Sequence, residues 1–408
     1  MTTGSQPLSS LKVVLAAGGT GGHVFPAEAL AQELLERGAQ LTLVTDNRGA
    51  AYGGALGQIE TKRIRASAVA GQGLLKRVRA VFDLGLGVLQ AMLLLRRLRP
   101  DAVVGFGGYA SVPTMVAALR LGLPTIVHEQ NAVPGRANRM IAAKVTRFAT
   151  AFEPRRVAIR ANKVHTGMPV RPAVAAHAEA PYMAPLADSG PLRLLITGGS
   201  QGAQVFSSLV PEAIALLPET LRSRLEITQQ CRPEDLEAAR KRYEDLGMGG
   251  QIELSNFFGD LPERLAQAHL VICRSGASTI SELAVTGRPS VLVPYPFAAD
   301  DHQTANARAL SEAGAAWLMP QDHLSPDSLA NRLTELFQSP DFLSRASACC
   351  RVVGVPDAAV RLADLVTDLV GGPANSASGD LPMPDEQSPQ SRPTAAPKIK
   401  TTLQEMSL

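Results

Sequence analysis

The sequence predicts an α/β protein made of two doubly wound parallel-sheet halves that face each other across a cleft. Three observations carry this. Short apolar runs alternate with helical periods along most of the chain, the pattern of a parallel sheet covered on both faces. The alternation stops in a segment rich in Ala and Pro at 172–191, which reads as a linker, and then restarts. The first strand of each half also runs straight into a glycine loop. Val13–Ala17 leads into Gly18-Gly19-Thr20-Gly21-Gly22, and Leu192–Thr197 leads into Gly198-Gly199-Ser200-Gln201-Gly202.

In the first half, Lys12–Ala17 is an apolar run ending in glycines and reads as a buried strand. Pro26 opens a helical pattern through Leu30, Leu34 and Leu35 that Gly38 closes. Leu41–Thr45, Ala102–Gly105, Thr125–His128, Arg147–Thr150 and Lys163–Thr166 read as further strands, with helices such as Ser111–Leu121 and Arg136–Val145 between them. In the second half, strands are expected at Leu192–Thr197, Leu225–Thr228, Leu270–Cys273, Ser290–Pro294 and Ala316–Met319. From Gly371 the composition shifts to Pro, Ser, Ala and Gln, which predicts a disordered tail without a catalytic role.

With 408 residues, 45% hydrophobic and 19% charged, the chain can bury two cores. A net charge of +3 and the lack of any RNA- or DNA-binding signature argue against nucleic acid as a partner. Cys231, Cys273, Cys349 and Cys350 form no C-x-x-C pair and are expected to be reduced structural thiols in a cytosolic setting. The run Leu11–Ala17 carries Lys12 and passes into glycines, so a strand is expected there and not a secretory leader. The longest apolar stretch, Leu84–Leu95, falls short of the roughly 20 residues of a membrane span.

Glycine after a strand lets backbone N–H groups approach a phosphate, and the following helix adds its positive N-terminal end. Gly18–Gly22, Gly105–Gly108 and Gly198–Gly202 are three such loops. Each on its own could equally be a tight strand-to-helix turn; together they point to anion binding. The dinucleotide fingerprint fails because Val24 stands where its third glycine belongs, and no loop supplies the G-K-[ST] of a P-loop. A dehydrogenase and an ATPase are therefore poorly supported.

A set of further segments completes the pattern. They are Ala17–Pro26, Gly105-Phe106-Gly107-Gly108-Tyr109-Ala110-Ser111, His128-Glu129-Gln130-Asn131, and Gly167-Met168-Pro169-Val170-Arg171. In the second half they are Gly198–Ala203, Cys273-Arg274-Ser275-Gly276-Ala277 with Ser281-Glu282, and Asp301-His302-Gln303-Thr304-Ala305-Asn306. In order and spacing these resemble the MurG family, N-acetylglucosaminyltransferases that convert lipid I to lipid II, and the resemblance runs from about Val13 to about Val370. Met168 stands where the family often has Asn, and Thr228-Gln229-Gln230-Cys231 replaces its usual His-Gln segment.

The resemblance implies a GT-B fold with boundaries of 8–172 for an acceptor and membrane domain and 190–352 for a UDP-GlcNAc-binding domain. A helix at about 356–371 would pack back on the first domain, and 372–408 would be the tail. It implies an inverting reaction in which a muramyl hydroxyl of lipid I attacks the anomeric carbon of UDP-GlcNAc. No cofactor or metal is implied, and the body of the chain has no D-x-D clamp. The expected location is the cytoplasmic face of the bacterial inner membrane, as a peripheral protein, with cell-wall synthesis and division proteins as candidate partners.

Such a reaction needs a base, charge stabilisation on the leaving diphosphate, and polar groups that position both sugars. His23, after the first loop, is the leading base, with Glu129 and His128 as rivals that could instead hold Asn131 in place. Asn131 resembles a sugar-contacting position. Thr20, Gly21 and Gly22, with the Gly105–Gly108 loop, would meet the acceptor pyrophosphate. Ser200, the Gly198–Gly202 amides and Arg171 would meet the donor diphosphate, although Arg171 could be a surface residue after a turn. Glu282 is the implied ribose anchor, or else a capping-box partner of Thr279. Ala277, Ser278, Thr279, Ile280 and Ser281 would line the same pocket, with uracil near Phe258. Gln303 and Asn306 would hold the transferred sugar, or form a solvated helix face.

Leu74–Pro100 mixes Leu, Val and Phe with Lys76, Arg77, Arg79, Arg96, Arg97 and Arg99. This suits either an interfacial patch on an anionic membrane surface or a core helix with a charged outer face. Three functional alternatives stay open: another acceptor such as a diacylglycerol, a UDP-sugar 2-epimerase on the same fold, and a non-catalytic nucleotide-sugar binding module.

Overall fold

In the first half, seven strands form one wholly parallel sheet: β1 (Lys12–Ala16), β2 (Gln40–Thr45), β3 (Glu60–Arg63), β4 (Ala102–Gly105), β5 (Thr125–Glu129), β6 (Arg147–Thr150) and β7 (Lys163–His165). Their spatial order is β3-β2-β1-β4-β5-β6-β7. The second half repeats the plan with β8 (Leu192–Thr197), β9 (Leu225–Gln230), β10 (Ile252–Ser255), β11 (Leu270–Cys273), β12 (Ser290–Leu292) and β13 (Ala316–Leu318), in the order β10-β9-β8-β11-β12-β13. In each sheet the winding reverses beside the first strand, between β1 and β4 and between β8 and β11, and ligands of such sheets bind outside the carboxyl ends at that point. This is the GT-B arrangement that the resemblance implies. The computed structural model describes residues 11–18, 21–46, 54–66, 74–156, 158–199 and 203–371, with side chains 74–81 left out; the tail expected at 372–408 lies outside the described residues.

Strand alternation builds a core on each face of the first sheet. Val13 and Leu15 point to Leu30 and Leu34 of the helix Gly21–Glu36 and to Leu362 and Val366 of the helix Ala358–Gly371. Val14 points the other way, to Val88 and Leu95 of the helix Leu74–Leu98 and to Met115 and Phe148. The second sheet is covered in the same manner, with Phe206, Leu333 and Phe337 on one face and Ile280, Leu283 and Leu310 on the other. Both sheets belong to one compact unit, Met1–Gly371.

Three differences from the sequence reading have physical causes. The helix expected to open at Pro26 begins at Gly21, and the one expected at Ser111 begins at Gly108. In both, the first turn opens on glycine and faces the cleft at the sheet edge, so the apolar period that marks a helix begins later. Strands β3 and β10 have no counterpart in the sequence reading. Each is an edge strand with little burial, and so lacks the apolar run of a central strand. The linker 172–191 starts with a helical turn, Pro172–Ala175, and is then strapped to the second half. Arg351 donates to the Ala178 and Ala180 carbonyls, and the Tyr182 hydroxyl donates to the His269 carbonyl at 2.8 Å.

Candidate active site

A cavity of about 1170 Å³ lies between the two sheets at their carboxyl edges. From the first half it is lined by Gly21, Gly22 and Phe25, and from the junction by Arg171. From the second half it is lined by Gly198, Gly199, Gln230, Phe258, Ala277, Ser278, Thr279, Glu282 and Gln303. Thr20 and Ser200 lie outside the described residues.

His23 stands in the first turn of the helix Gly21–Glu36, partly buried, with Nδ1 3.2 Å from Gln130 Oε1. Its Nε2–Cδ2 edge lies beside Gly108. A side chain at Gly108 would come within 3.2 Å of the ring, and the backbone there has φ +71°, so glycine suits the position on both counts. Burial holds the His23 pKa below its ordinary value; the Glu129 carboxylate, the Gln130 side chain and the Phe106 carbonyl pull it back upward. The imidazole is therefore neutral near pH 7, the form a base needs.

The two rival bases are placed differently. His128 is fully buried, with Nε2 2.9 Å from the Gly167 carbonyl, and burial lowers its pKa to about 4. It has no access to a substrate hydroxyl. The Glu129 carboxylate is also buried and is already occupied. Its Oε1 accepts from the Asn131 amide at 2.9 Å, and its Oε2 accepts from the Gly135 amide at 2.9 Å and from Asn138 Nδ2 at 2.8 Å. These bonds order the loop that carries Asn131, in keeping with the alternative reading of Glu129 as the group that holds Asn131 in place.

Arg171 and Glu282 meet directly. Arg171 Nε donates to Glu282 Oε1 at 2.8 Å and Nη2 donates to Oε2 at 3.0 Å, while the guanidinium lies 5.5 Å from the Phe25 ring centroid. Glu282 does not cap its helix. That helix, Ala277–Thr286, has Gly276 as its N-cap and no side-chain cap, so its first amides are left for the cleft. Ser278 and Thr279 line the cavity; Ile280 does not. Its side chain is in the core and its amide donates to the Gly276 carbonyl at 3.0 Å. Ser281 is buried in the same helix and is not part of the lining.

Gln303 faces the cavity, accepting the Tyr295 amide on Oε1 at 2.9 Å. Asn306, expected beside it, is fully buried. Its Oδ1 accepts from the Ala132 amide at 2.8 Å, and its Nδ2 donates to Asn131 Oδ1 and to the Ser275 carbonyl, each at 3.1 Å. It ties the two halves together, with both ends of its side chain already bonded to protein groups. Phe258 lines the cavity with the Arg264 guanidinium 4.5 Å from its ring centroid.

Several groups at the cleft carry no role in the sequence reading. Arg274 braces the loop that ends in Tyr295, donating to the Val293 carbonyl at 3.1 Å and the Pro294 carbonyl at 3.0 Å. Arg136 and Arg139 pair with Asp300 at 3.0 and 2.8 Å, and Arg156 pairs with Asp301 at 2.9 Å. Asp300 and Asp301 are consecutive left-handed residues, φ +52° and +50°, immediately before the helix that carries Gln303. Nothing in a single sequence pairs arginines near 136–156 with aspartates near 300. Gln130, by contrast, lies inside the quoted His128–Asn131 segment, and strand alternation puts it on the same side as His128.

Among the described residues no helix is long and apolar enough to cross a membrane. The helix Leu74–Leu98 does expose Phe82, Leu89 and Leu93 at 65%, 55% and 60%, spaced to share one face, with Arg96 and Arg97 exposed beyond them. The side chains of Lys76, Arg77 and Arg79 lie outside those described.

Residues 13–150 match the glycosyltransferase family 28 N-terminal domain, and residues 193–362 match the glycosyltransferase family 28 C-terminal domain. The UDP-N-acetylglucosamine–N-acetylmuramyl-(pentapeptide) pyrophosphoryl-undecaprenol N-acetylglucosamine transferase of Rhodospirillum rubrum is 63% identical over 88% of this chain and 92% of its own length. The protein of the same name from Paramagnetospirillum magneticum is 57% identical over 88% of this chain and 96% of its own. Among solved structures, Acinetobacter baumannii MurG superposes with a TM-score of 0.70 at 32% identity, covering 88% of this chain and 99% of that one. The two matched domains supply both walls of the cleft, and with identity of this order over nearly the whole described body the chain belongs to glycosyltransferase family 28, within its MurG family.

Proposed function

We infer that this chain transfers N-acetylglucosamine from UDP-GlcNAc to the muramyl 4-hydroxyl of lipid I, with inversion, giving lipid II. The observation that carries the reading is the composition of the cleft: a partly buried neutral imidazole at one wall, and at the other an uncapped helix N-terminus beside a bidentate Arg171–Glu282 pair. The acceptor hydroxyl attacks the anomeric carbon and gives its proton to His23. The bond from that carbon to the diphosphate oxygen breaks with its electron pair, and UDP leaves. Arg171 and the first amides of the helix Ala277–Thr286 neutralise the charge that grows on the leaving group. Glu282 accepts from the ribose hydroxyls, Phe258 borders the uracil, and Gln303 holds the transferred sugar. The acceptor pyrophosphate lies on the glycine-first turns at Gly21 and Gly108.

A lipid-linked acceptor requires the cleft to work at a bilayer. The apolar face of Phe82, Leu89 and Leu93, flanked by Arg96 and Arg97, supports binding to an anionic membrane surface, as a peripheral protein on the cytoplasmic face of the inner membrane. It favours this over a core helix with a charged outer face.

The test is turnover by the purified protein in lipid vesicles. UDP release with lipid I, and none without acceptor, is expected. Consumption of donor alone would indicate an epimerase. Transfer to a diacylglycerol and not to lipid I would replace the acceptor in the scheme, and donor binding without any turnover would reduce the protein to a binding module.

A further inference from the structure

One buried carboxamide joins two histidines of the first half, His23 and His128. Gln130 is 1% exposed. Its Nε2 lies 2.9 Å from the Phe106 carbonyl and 2.9 Å from the His128 carbonyl, and 3.3 Å from His128 Nδ1. Its Oε1 lies 3.2 Å from His23 Nδ1. The amide can take only one orientation. Turned over, its oxygen would face two carbonyl oxygens, and those buried acceptors would lose their donor.

The orientation has a consequence for each ring. Oε1 can only accept, so the facing His23 Nδ1 carries a hydrogen. A neutral imidazole has one N–H, which leaves the lone pair on Nε2, the edge beside Gly108. At the far end, His128 Nε2 lies 2.9 Å from the Gly167 carbonyl and must donate to it, so His128 Nδ1 is bare and accepts from Gln130. Both tautomers follow from a chain of one direction. It ends at Gly167, which has φ +78° and packs against Val355, where the chain crosses back from the second half to the first.

We propose that Gln130 is a positioning residue that locks His23 in the Nδ1–H tautomer, so that the Nε2 lone pair is presented to the acceptor hydroxyl. The catalytic part of this rests on the reading of His23 as the base; the tautomer itself does not. The other groups facing His23 are the Phe106 carbonyl behind β4, the Glu129 carboxylate at the end of β5, and His302 from the second half. None of them ties the ring to a second histidine as Gln130 does.

Two measurements test this. In protein labelled with ¹⁵N-histidine, at a pH where the rings are neutral, the His23 signals, assigned by their loss in His23→Gln, should report hydrogen on Nδ1. Hydrogen on Nε2, or a mixture of tautomers, overturns the proposal without reference to activity. Second, Gln130→Met keeps the length and removes both hydrogen-bonding ends. It should lower kcat about 10- to 100-fold, less than the roughly 100- to 10,000-fold that a general base itself contributes, while the donor KM stays within about two-fold. The acid limb of its pH–kcat profile should move to lower pH, because His23 loses an acceptor that favours its protonated form. An unmoved limb with normal folding overturns the proposal. Should His23→Gln itself stay active, the base reading falls, and the labelled spectrum still decides the tautomer.

Discussion

Glu129→Gln separates a base from a loop clamp. In the structure the ionised carboxylate accepts three hydrogen bonds at 2.9, 2.9 and 2.8 Å from the Asn131 amide, the Gly135 amide and Asn138 Nδ2. Glutamine keeps at most the two at Oε2 if its oxygen takes that place, and its NH₂ then faces the Asn131 N–H, donor against donor. A hydrogen bond to a charged group contributes about 1.5–3 kcal/mol, and the two retained bonds fall to about 1 kcal/mol each. The neutral amide also escapes the desolvation of a buried charge, which offsets part of the loss. The net destabilisation comes to about 2–3 kcal/mol. Urea unfolding should show it as a lower midpoint at unchanged slope. Kinetically the loop carrying Asn131 loosens, so kcat/KM for the acceptor falls about ten-fold, the equivalent of about 1.4 kcal/mol. The acid limb of the pH–rate profile should survive and move to lower pH, since Glu129 raises the His23 pKa through space. If the limb vanishes in Glu129→Gln, the carboxylate is the base after all, and the clamp account is wrong.

Two further predictions concern the seam and the core. Asp300 takes two arginine contacts from the first half, so Asp300→Ala should raise the donor KM by a few-fold at most, by loosening the turn before Gln303. The same KM should rise with added salt in the parent and stay flat in the variant; equal salt dependence in both would count against the seam. His128 and His269 are each held neutral at about 4 by burial, and His269 Nδ1 accepts from the Arg193 amide at 3.0 Å. The unfolded chain binds these protons at about 6.5 and the folded chain only at about 4, so the stability they give is complete above 6.5 and is lost as pH falls from 6.5 towards 4. The loss is about 3 kcal/mol for the fully buried His128 and smaller for the more solvent-screened His269, and His269→Gln should lower the slope of stability against pH in that window without abolishing it, since His128 and His23 still contribute; an unchanged slope would refute the assignment.

The parts of the fold that could be read in the sequence are those where burial writes a period. Ala102–Gly105, Arg147–Thr150, Leu192–Thr197 and Leu270–Cys273 coincide with the expected strands because each is central and buried. The helix starts at Gly21 and Gly108 were placed late for the opposite reason: residues that face a ligand cleft owe nothing to the core period. The site divides in the same way. Arg171, Glu282 and Gln303 lie in segments that the motifs mark, and all three line the cavity. The occupation of Glu129 and Asn306 by neighbours was not legible, because it depends on amides at Gly135 and Ala132 and on a partner 175 residues away. The seam of arginines and aspartates depends wholly on how the halves meet, and one sequence carries no trace of that.

The Arg171–Glu282 pair joins two roles that the sequence assigns separately. A carboxylate offers about four lone-pair sites, and Arg171 takes one on each oxygen, so Glu282 keeps two for a pair of ribose hydroxyls. A guanidinium has five N–H donors, and Nε and Nη2 spend two of them on Glu282, which leaves three for phosphate oxygens. A nucleotide can therefore bind without breaking the ion pair, and each partner then fixes the other at the orientation its own ligand needs. Arg171 also lies against Phe25 from the first half, one turn beyond the glycines. On the proposed reading, the group that meets the leaving phosphate is thus tied to the wall that carries His23, so that one arginine in contact with both halves would set the distance between base and leaving group.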